Sequence, residues 1–363
     1  MRGHSRRSCR RSHDGLRIGR PLFTSPRTDW VITRRAALTG LIAAFSAQDL
    51  KAQTKNTLFV SSQNSFLYDP GPGWPDRPER ISSILNALEA PEFITLSKRE
   101  APTAELKSIL RVHTHQLIRL LEQATPKNGF SSLGQDVTLN PYSLSAAMAS
   151  AGGAIAATDA VMCGKAQNSF VATRPPGHHA LSNQAMGFCL FNNVAIAAMH
   201  ARAIYNVERI AIIDFDVHHG NGIQDFFWGD KNTLYASTHQ MPLYPGTGEL
   251  NETGAFNNIV NAPLRRGDSG EQFQEALKNR ILPRLELFAP DLIFICAGFD
   301  AHIHDPLGGL RLLEEDFRNV TLRVMEIAQR RCQNRIVSLL EGGYAPQDLA
   351  RSVATHIKTL MEA

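Results

Sequence analysis

Short apolar, β-branched runs alternate with helical stretches along most of this chain, and this alternation limits the fold more than any other feature. The apolar runs fall at 58–62, 169–173, 210–216, 233–238, 258–262, 292–300 and 335–341. The helical, amphipathic stretches fall at 80–89, 104–123, 143–162, 192–205, 270–288 and 314–328. Strands that are apolar along their whole length are typical of a parallel sheet covered by helices on both faces. We therefore predict a single α/β domain over residues 53–363.

The first 52 residues differ from the rest in charge. They hold eleven basic and three acidic residues, a net charge of +8, whereas the remainder holds 27 basic and 31 acidic residues, a net charge of −4. Residues 1–30 are rich in Arg, Ser and Gly and lack apolar periodicity, so we expect them to be disordered. Because the predicted domain is net acidic, we expect no direct binding to nucleic acid.

A pair of arginines precedes a short apolar run in this leader. Arg34 and Arg35 lead into residues 38–47, and the pattern over 33–47 resembles a bacterial twin-arginine (Tat) export signal. The run is too short to span a bilayer, which takes about 20 residues, so we expect no stable membrane anchor. The signal predicts a periplasmic protein. Two alternatives stay open: a start of translation near Val31, which favours the cytoplasm, and an organellar transit peptide.

The cysteines are few and scattered. Cys9, Cys163, Cys189, Cys296 and Cys332 form no C-x-x-C pair. This argues against a disulfide framework and against a cysteine-based zinc site. We expect buried free thiols.

Polar side chains follow four of the apolar runs, at 174–179, 214–219, 298–300 and 341–344. Open α/β sheets bind ligands at the carboxyl ends of their strands. Because four predicted strands end in Asp, His or Tyr, we expect these clusters to meet at one edge of the sheet and to form the functional site.

The cluster at 214–218 has the residue types of a metal site. Asp214, Asp216 and His218 alternate along an extended run, so their side chains point to one side. With Asp300 from another strand end, carboxylates and an imidazole converge, and three such ligands with a fourth open position are typical of catalytic zinc. Oxygen cages for magnesium or calcium do not favour histidine. Taken alone, Asp216 or His218 would more simply be a salt-bridged strand end.

The adjacent His178 and His179 stand in a turn rich in Pro and Gly, where both rings could face a cleft. Beside a metal they would share general-base and general-acid work. Each needs an orienting partner on its far ring nitrogen, and Asp214 and Asn221 are candidates. The alternatives are that both ligate a metal, or that one faces solvent and the other is structural.

Tyr344 follows two glycines at the end of the last apolar run. Gly342 and Gly343 free the backbone to turn, which would bring the phenol over the site. A tyrosine hydroxyl there can donate to a developing oxyanion. The alternative is a packing tyrosine after a flexible turn.

Together these clusters resemble the histone deacetylase superfamily, from about residue 58 to the C-terminus. Several dispersed motifs in the family's order make the resemblance specific. The motifs are Arg77-Pro78-Glu79-Arg80, Arg174-Pro175-Pro176-Gly177-His178-His179, Gly187-Phe188-Cys189, the run 214–222, Tyr244-Pro245-Gly246-Thr247-Gly248, Ala297-Gly298-Phe299-Asp300 and Glu341-Gly342-Gly343-Tyr344.

The resemblance implies an arginase-like α/β fold around a mostly parallel, eight-stranded sheet. It implies one Zn²⁺ ion on Asp216, His218 and Asp300. It also implies His178 and His179 as the tandem general acid and base, Asp214 orienting His178, and Tyr344 as the oxyanion donor. A structural potassium ion would be held by Asp214, Asp216, His218, Ser237 and Thr238, partly through carbonyls. The substrate tunnel would be formed by Gly187, Phe188, Tyr244 and Leu307, with Arg80 lining an internal channel beneath the site.

The resemblance also bears on substrate. Asn221 stands where class I members carry Asp, which is similar to the class II branch and its bacterial relatives. Leu307 stands at the gate position where polyamine-selective eukaryotic members carry Glu, which favours acyl-lysine-like or neutral amides without excluding acetylpolyamines. The resemblance therefore implies a zinc-dependent deacetylase of acetyl-lysine-type or other acetylated amines. The alternatives are an acetylpolyamine or other small-molecule deacetylase, a non-catalytic binding protein that keeps the pocket, and a ureohydrolase. The sequence does not indicate an oligomeric state.

Overall fold

A wholly parallel, eight-stranded sheet forms the centre of the computed structural model, which describes residues 56–362. The order across the sheet is β2-β1-β5-β10-β9-β6-β7-β8, and every neighbouring pair runs parallel. Its strands are β1 Thr57–Ser61, β2 Ser97–Glu100, β5 Asn168–Ala172, β6 Ile210–Asp214, β7 Thr233–Gln240, β8 Ile259–Leu264, β9 Leu292–Ala297 and β10 Ile336–Leu340. The separate short strands β3 Ser131–Ser132 and β4 Thr138–Leu139 pair antiparallel. The predicted α/β class and eight-stranded sheet are confirmed.

Helices cover both faces of the sheet. They are α1 Asn64–Leu67, α2 Glu79–Ala87, α3 Leu106–Ile109, α4 His115–Ala124, α5 Ser143–Met162, α6 Asn193–Tyr205, α7 Asn221–Phe227, α8 Gly270–Ala276, α9 Leu282–Phe288, α10 Glu314–Cys332 and α11 Pro346–Met361. A single π turn, Leu277–Ile281, joins α8 to α9. Successive strand residues point to opposite faces. Ile213 therefore packs into a cluster with α2, α10 and α11, and Ile212 packs into a second cluster with α4, α5 and α6.

The predicted and observed secondary-structure elements differ in several places, and each difference has a physical reason. Edge strand β2 was not predicted, because its four residues are polar and mostly exposed and lack an apolar pattern. Helix α11 was not predicted either, although its buried residues recur with helical spacing. The single helix predicted over 104–123 is two helices, since Thr114 caps a new one by accepting a hydrogen bond from Leu117 N–H at 3.2 Å.

Helix α5 is a core helix. We predicted it as amphipathic, but it is rich in Ala and Gly and is buried on nearly every side. It is the one helix among the described residues that is long and apolar enough to cross a membrane, and most of it lies inside this fold. Its small residues permit close packing: a Cβ on Gly152 would lie 1.8 Å from the carbonyl oxygen of Pro102.

The leader predicted over residues 1–52, with its export signal at 33–47, lies outside the described residues, and the domain boundary at 53 stays a prediction. The four described cysteines are all free. Cys189, Cys296 and Cys332 are buried, as predicted, but Cys163 is exposed because it lies just beyond the C-terminal end of α5.

Candidate active site

The four strands that end in polar clusters are neighbours in the sheet. Strands β5, β10, β9 and β6 occupy its middle in that order. Because all four run parallel, the segments that follow them leave the sheet at the same edge. The structure thus brings together the four clusters that the sequence singled out.

Asp216, His218 and Asp300 form a buried cluster at this edge. His218 Nδ1 lies 3.1 Å from Asp216 Oδ1 and 3.1 Å from Asp300 Oδ2. The three residues offer ligand atoms that all lie within 4.8 Å of one another. All three side chains are buried. Asp214 stands apart from these three ligand atoms and places its Oδ2 3.2 Å from Nδ1 of His178, the ring that the sequence analysis also named as its partner.

Backbone N–H groups hold the two carboxylates in place. Asp216 Oδ2 accepts a hydrogen bond from Gly342 N–H at 2.7 Å, and Asp300 Oδ1 accepts one from Val217 N–H at 2.9 Å. Burial alone would lower the pKa of His218, but hydrogen bonds and charges from Asp216 and Asp300 raise it to about 10. The carboxylates therefore create a strongly negative interior site, and their donor set fits a small cation such as zinc.

His178 lies behind this cluster. Its Nδ1 is 3.2 Å from Asp214 Oδ2, and its backbone N–H donates to the buried Glu341 carboxylate at 3.1 Å. Burial opposes protonation of this ring, but the charges of Asp216 and Asp214 outweigh it and raise the pKa of His178 to about 10. These two carboxylates therefore favour the protonated form of His178.

His179 is adjacent but has the opposite electrostatic environment. The two rings lie 3.9 Å apart between centroids, and His179 Nδ1 is 2.8 Å from Oδ1 of Asn221. Burial lowers the pKa of His179, and the positive charges of His178 and His218 lower it further. The pKa values of the two neighbouring imidazoles are thus shifted in opposite directions, which suits His179, the ring with the lowered pKa, to act as a base.

Tyr344 closes the other side of the site. Burial raises the pKa of its phenol well above the usual value, although the nearby Arg80 opposes this, so the hydroxyl remains protonated. Arg80 lies under the ring, with Cζ 4.8 Å from the centroid. Its guanidinium is fully buried and donates to Asp76 and to the carbonyls of Glu341 and Gly343.

Asp305, which the sequence analysis did not assign, holds two of these segments together. Its Oδ2 accepts from Tyr344 N–H at 2.6 Å, and its Oδ1 accepts from Leu307 N–H at 2.9 Å. The side chain therefore links the backbone of Tyr344 to that of the predicted gate residue Leu307. Its position two residues before the predicted gate residue Leu307 was the available signal.

A cavity of about 270 Å³ leads from the surface to these residues. The predicted tunnel residues Gly187, Phe188, Tyr244 and Leu307 all line it. Gly187 has φ +56°, and a Cβ there would lie 2.3 Å from His179 Cδ2, so only glycine fits. The full lining is Asp136, His179, Gly187, Phe188, His218, Leu243, Tyr244, Leu307 and Tyr344.

Sequence reasoning missed Asp136 and Leu243 in this lining. Asp136 Oδ2 accepts hydrogen bonds from Tyr244 Oη at 2.6 Å and from Gly187 N–H at 2.8 Å. The carboxylate thus braces two predicted tunnel residues at the mouth. A lone Asp in a loop carries no pattern that would have identified it.

Of the side chains predicted for a second cation, Ser237 lies beside Asp214, whereas Thr238, the next residue of β7, points to the opposite face of the sheet. Ser237 pairs with Asp214 in the register of β6 and β7, and its hydroxyl lies 2.9 Å from His239 Nδ1. Thr238 Oγ1 is buried and finds no hydrogen-bond partner within residues 56–362. Because its side chain faces away from Ser237 and Asp214, Thr238 would reach a cation beside Asp214 through its backbone carbonyl.

Comparison with known proteins identifies the family. Residues 74–360 match the model of the histone deacetylase domain. The chain belongs to the histone deacetylase family. Among its relatives, a histone deacetylase-like amidohydrolase of Pseudomonas aeruginosa is 41% identical over 276 residues, which cover 75% of this chain and 72% of that protein. A probable deacetylase of Archaeoglobus fulgidus is 37% identical over 296 residues, covering 80% of this chain and 81% of that protein.

Solved structures agree with this assignment. The crystal structure of the HDA15 HD domain superposes with a TM-score of 0.80 at 30% identity, covering 85% of this chain and 89% of that one. The resemblance predicted from the motifs is confirmed, as is the arginase-like fold that it implied. Membership of the histone deacetylase family supports hydrolase activity of the deacetylase type.

Proposed function

We propose that this chain is a zinc-dependent amide hydrolase that removes acetyl groups from acetyl-lysine-type or other acetylated amines. The proposal rests on the arrangement of residues at the inner end of the tunnel. There the ring of His179 lies 6.0 Å from that of His218, which belongs to the buried Asp216–His218–Asp300 cluster. A narrow, largely apolar tunnel that ends on such a cluster suits a linear acyl-amine whose amide is reached only at its tip.

Asp216, His218 and Asp300 would hold one Zn²⁺ ion. The set fits because two carboxylates and one imidazole leave a fourth position open, as in catalytic zinc sites. When bound, zinc would supply Lewis acidity to the amide carbonyl and to a water molecule. His218 must lose its proton to ligate, so metal affinity falls in acid.

The two histidines divide the proton transfers. His179 lines the tunnel, and because Asn221 holds its Nδ1, its Nε2 is left for the substrate. As the neutral member it accepts the proton of the attacking water and later donates that proton to the departing amine. His178 stays protonated against Asp214 and supplies positive charge behind the reacting carbon. The C–N bond breaks, and acetate and a free amine leave.

Tyr344 stabilises the oxyanion. Its side chain lines the same cavity as His179 and keeps its proton, so it can donate to the oxygen of the tetrahedral intermediate. Asp305 holds the backbone of Tyr344 by accepting its N–H, and the Arg80 guanidinium packs against the face of its ring.

We also infer a structural potassium ion beside the catalytic cluster. Asp214, Asp216, His218, Ser237 and Thr238 would supply side-chain and carbonyl oxygens. The Ser237 residue, which pairs with Asp214 in the register of β6 and β7, supports this placement. Oxygen donors of this kind suit a hard monovalent cation.

A second substrate class is acetylpolyamines, and one observation favours it. Asp136 places a carboxylate in the tunnel lining, where it would attract the distal ammonium of an acetylated diamine. The predicted gate residue Leu307 argues against acetylpolyamines, because it adds no negative charge that would attract an ammonium group. The acyl-lysine class and the polyamine class therefore differ in how much they depend on Asp136.

The deciding experiment offers the zinc-loaded protein a fluorogenic acetyl-lysine peptide and N-acetylputrescine, each with and without a hydroxamate chelator. Hydroxamate-sensitive cleavage of either supports the chemistry, and the ratio of their kcat/KM values assigns the substrate class. Asp136→Asn should lower kcat/KM for N-acetylputrescine more than for the peptide if polyamines are the substrate. Cleavage that a hydroxamate leaves unchanged contradicts the zinc mechanism.

The leader supports a separate proposal about location. If the signal at 33–47 directs Tat export, the enzyme meets periplasmic acylated amines or peptides. If translation begins near Val31, it meets cytoplasmic acyl-lysine or metabolites. Fractionation of cells that express the full chain, beside a variant with Lys at both Arg34 and Arg35, separates the two.

A further inference from the structure

A second group of metal-ligand side chains lies outside the catalytic cluster. His302, His304 and Asp348 each offer one ligand atom, and these atoms lie within 4.8 Å of one another. His302 and His304 follow Asp300 in the chain, and Asp348 stands in the first turn of α11, four residues after Tyr344. The segment after Asp300 and the segment after Tyr344 therefore carry this second group.

His302 is the inner member of the group. It is only 2% exposed, and its Nε2 finds no hydrogen-bond partner among the described residues. That nitrogen lies 3.6 Å from Glu314 Oε2, while Nδ1 lies 3.9 Å from Asp348 Oδ1 and accepts the backbone N–H of His304 at 3.2 Å. A buried imidazole with an unsatisfied nitrogen between two carboxylates needs an explanation.

His304 and Asp348 open the group to solvent. The His304 ring is 64% exposed, and its Nδ1 lies 3.0 Å from Asp348 Oδ1. The ring centroids of His302 and His304 are 5.2 Å apart. An ion thus has an entry path to a site whose innermost ligand is fixed by burial.

One cation already contacts this group. The Arg351 guanidinium contacts Asp348 Oδ1 and donates to Glu314 Oε1 at 2.8 Å. With neutral imidazoles, two carboxylates and one guanidinium leave one negative charge. The second oxygen of Asp348 stays available, so a metal can bind beside Arg351 or displace it.

We propose that His302, His304 and Asp348 form a second divalent transition-metal site, separate from the catalytic cluster. The ion takes Nδ1 of His302, which gives up the His304 N–H bond on binding, together with one nitrogen of His304 and a carboxylate oxygen of Asp348. Glu314, which lies 3.6 Å from Nε2 of His302, is the outer partner of that ring. Two imidazoles and a carboxylate select zinc, or nickel and cobalt, over magnesium and calcium. A bound ion ties the segment after Asp300 to the first turn of α11.

The test is equilibrium dialysis of the full chain against buffered Zn²⁺, with bound zinc counted by elemental mass spectrometry. We expect two equivalents in the wild type and one in His304→Ala, with the affinity of the lost site reduced at least about tenfold. His115→Ala, which removes another exposed histidine, is the matched control and should keep both. A wild type that binds a single equivalent, or a His304→Ala protein that still binds two, overturns the proposal.

Two further variants make the assignment specific. Arg351→Gln removes the competing guanidinium and should lower the Kd for zinc at the His304-dependent site. An unchanged Kd would contradict the role of Asp348 as a ligand. Asp216→Ala should lose the other equivalent and keep the His304-dependent one. If the proposal for the catalytic zinc failed, zinc binding that depends on His304 would still be expected.

Discussion

Asn221 turns its Oδ1 toward Nδ1 of His179 at 2.8 Å, while its Nδ2 faces the sulfur of Met186 at 3.4 Å. A carboxamide oxygen accepts a hydrogen bond and does not donate one. His179 therefore carries its proton on Nδ1, and its Nε2 lone pair is left for the tunnel. A neutral partner at this position orients the base without adding charge, so the pKa of His179 stays low.

This relationship predicts a pH effect. Asn221→Asp places a negative charge beside His179 and should raise the pKa of that ring. Because the base must be unprotonated, the acid limb of the kcat/KM profile should move to higher pH. The measurement is kcat/KM for an acetyl-lysine peptide across the pH range. Asn221→Ala is the control: it should lower the rate without the alkaline shift, and matching profiles for all three proteins would contradict the assignment.

Tyr344→Phe should lower kcat by roughly 10²–10³-fold, because one oxyanion donor is lost. The KM and the zinc content should change little, since the phenyl ring still packs over Arg80 and the backbone bond to Asp305 remains. Steady-state kinetics with parallel zinc counting checks both. A variant as fast as wild type would remove Tyr344 from the mechanism.

Asp300→Ala should release the catalytic zinc. The variant loses one of three ligands and leaves a carboxylate and an imidazole that bind more weakly. Zinc is counted after dialysis in the His304→Ala background, so that only this site contributes. Asp225→Ala, an exposed carboxylate, should change nothing. Full zinc content in the Asp300→Ala protein would exclude Asp300 as a ligand.

Buried His356 should make the fold sensitive to acid. It lies between Thr321 Oγ1, 2.6 Å from Nδ1, and Ser338 Oγ, 2.9 Å from Nε2, and burial lowers its pKa to about 3. The unfolded chain takes up this proton near pH 6.5, so the free energy of unfolding falls as pH drops from there toward 3.

The corresponding test is urea unfolding at a series of pH values. One such site contributes a slope of at most about 1.4 kcal/mol per pH unit. His356→Asn should flatten the slope by up to that amount between about pH 6 and pH 4, whereas His115→Asn should not. Parallel slopes for wild type and His356→Asn would show that this ring does not carry the effect.

The sequence was sufficient to predict the parts of the site that rest on strand ends. Apolar runs followed at once by polar clusters are local patterns, and parallel strands bring them to one edge, so Asp216, His218 and Asp300 could be grouped in advance. Side chains from long loops could not be assigned to the site in this way. Asp136 braces Tyr244 across 108 positions of chain, and no local pattern records such a contact.

The same distinction holds for the fold. The interior strands were predictable because burial on both faces requires apolar residues throughout. Edge strand β2 was not, since its side chains face solvent and only its backbone joins β1. Helix α5 was mistaken for amphipathic because small Ala and Gly residues give a weak pattern even when every side is buried.

The central claim is that His179 transfers the proton beside a metal that other residues hold. The most direct test compares acetate release from an acetyl-lysine peptide by wild type and His179→Ala, with bound zinc counted in both. We predict equal zinc and a rate lower by about 10²–10⁴-fold in the variant. A His179→Ala protein that binds zinc and turns over at the wild-type rate would contradict the account.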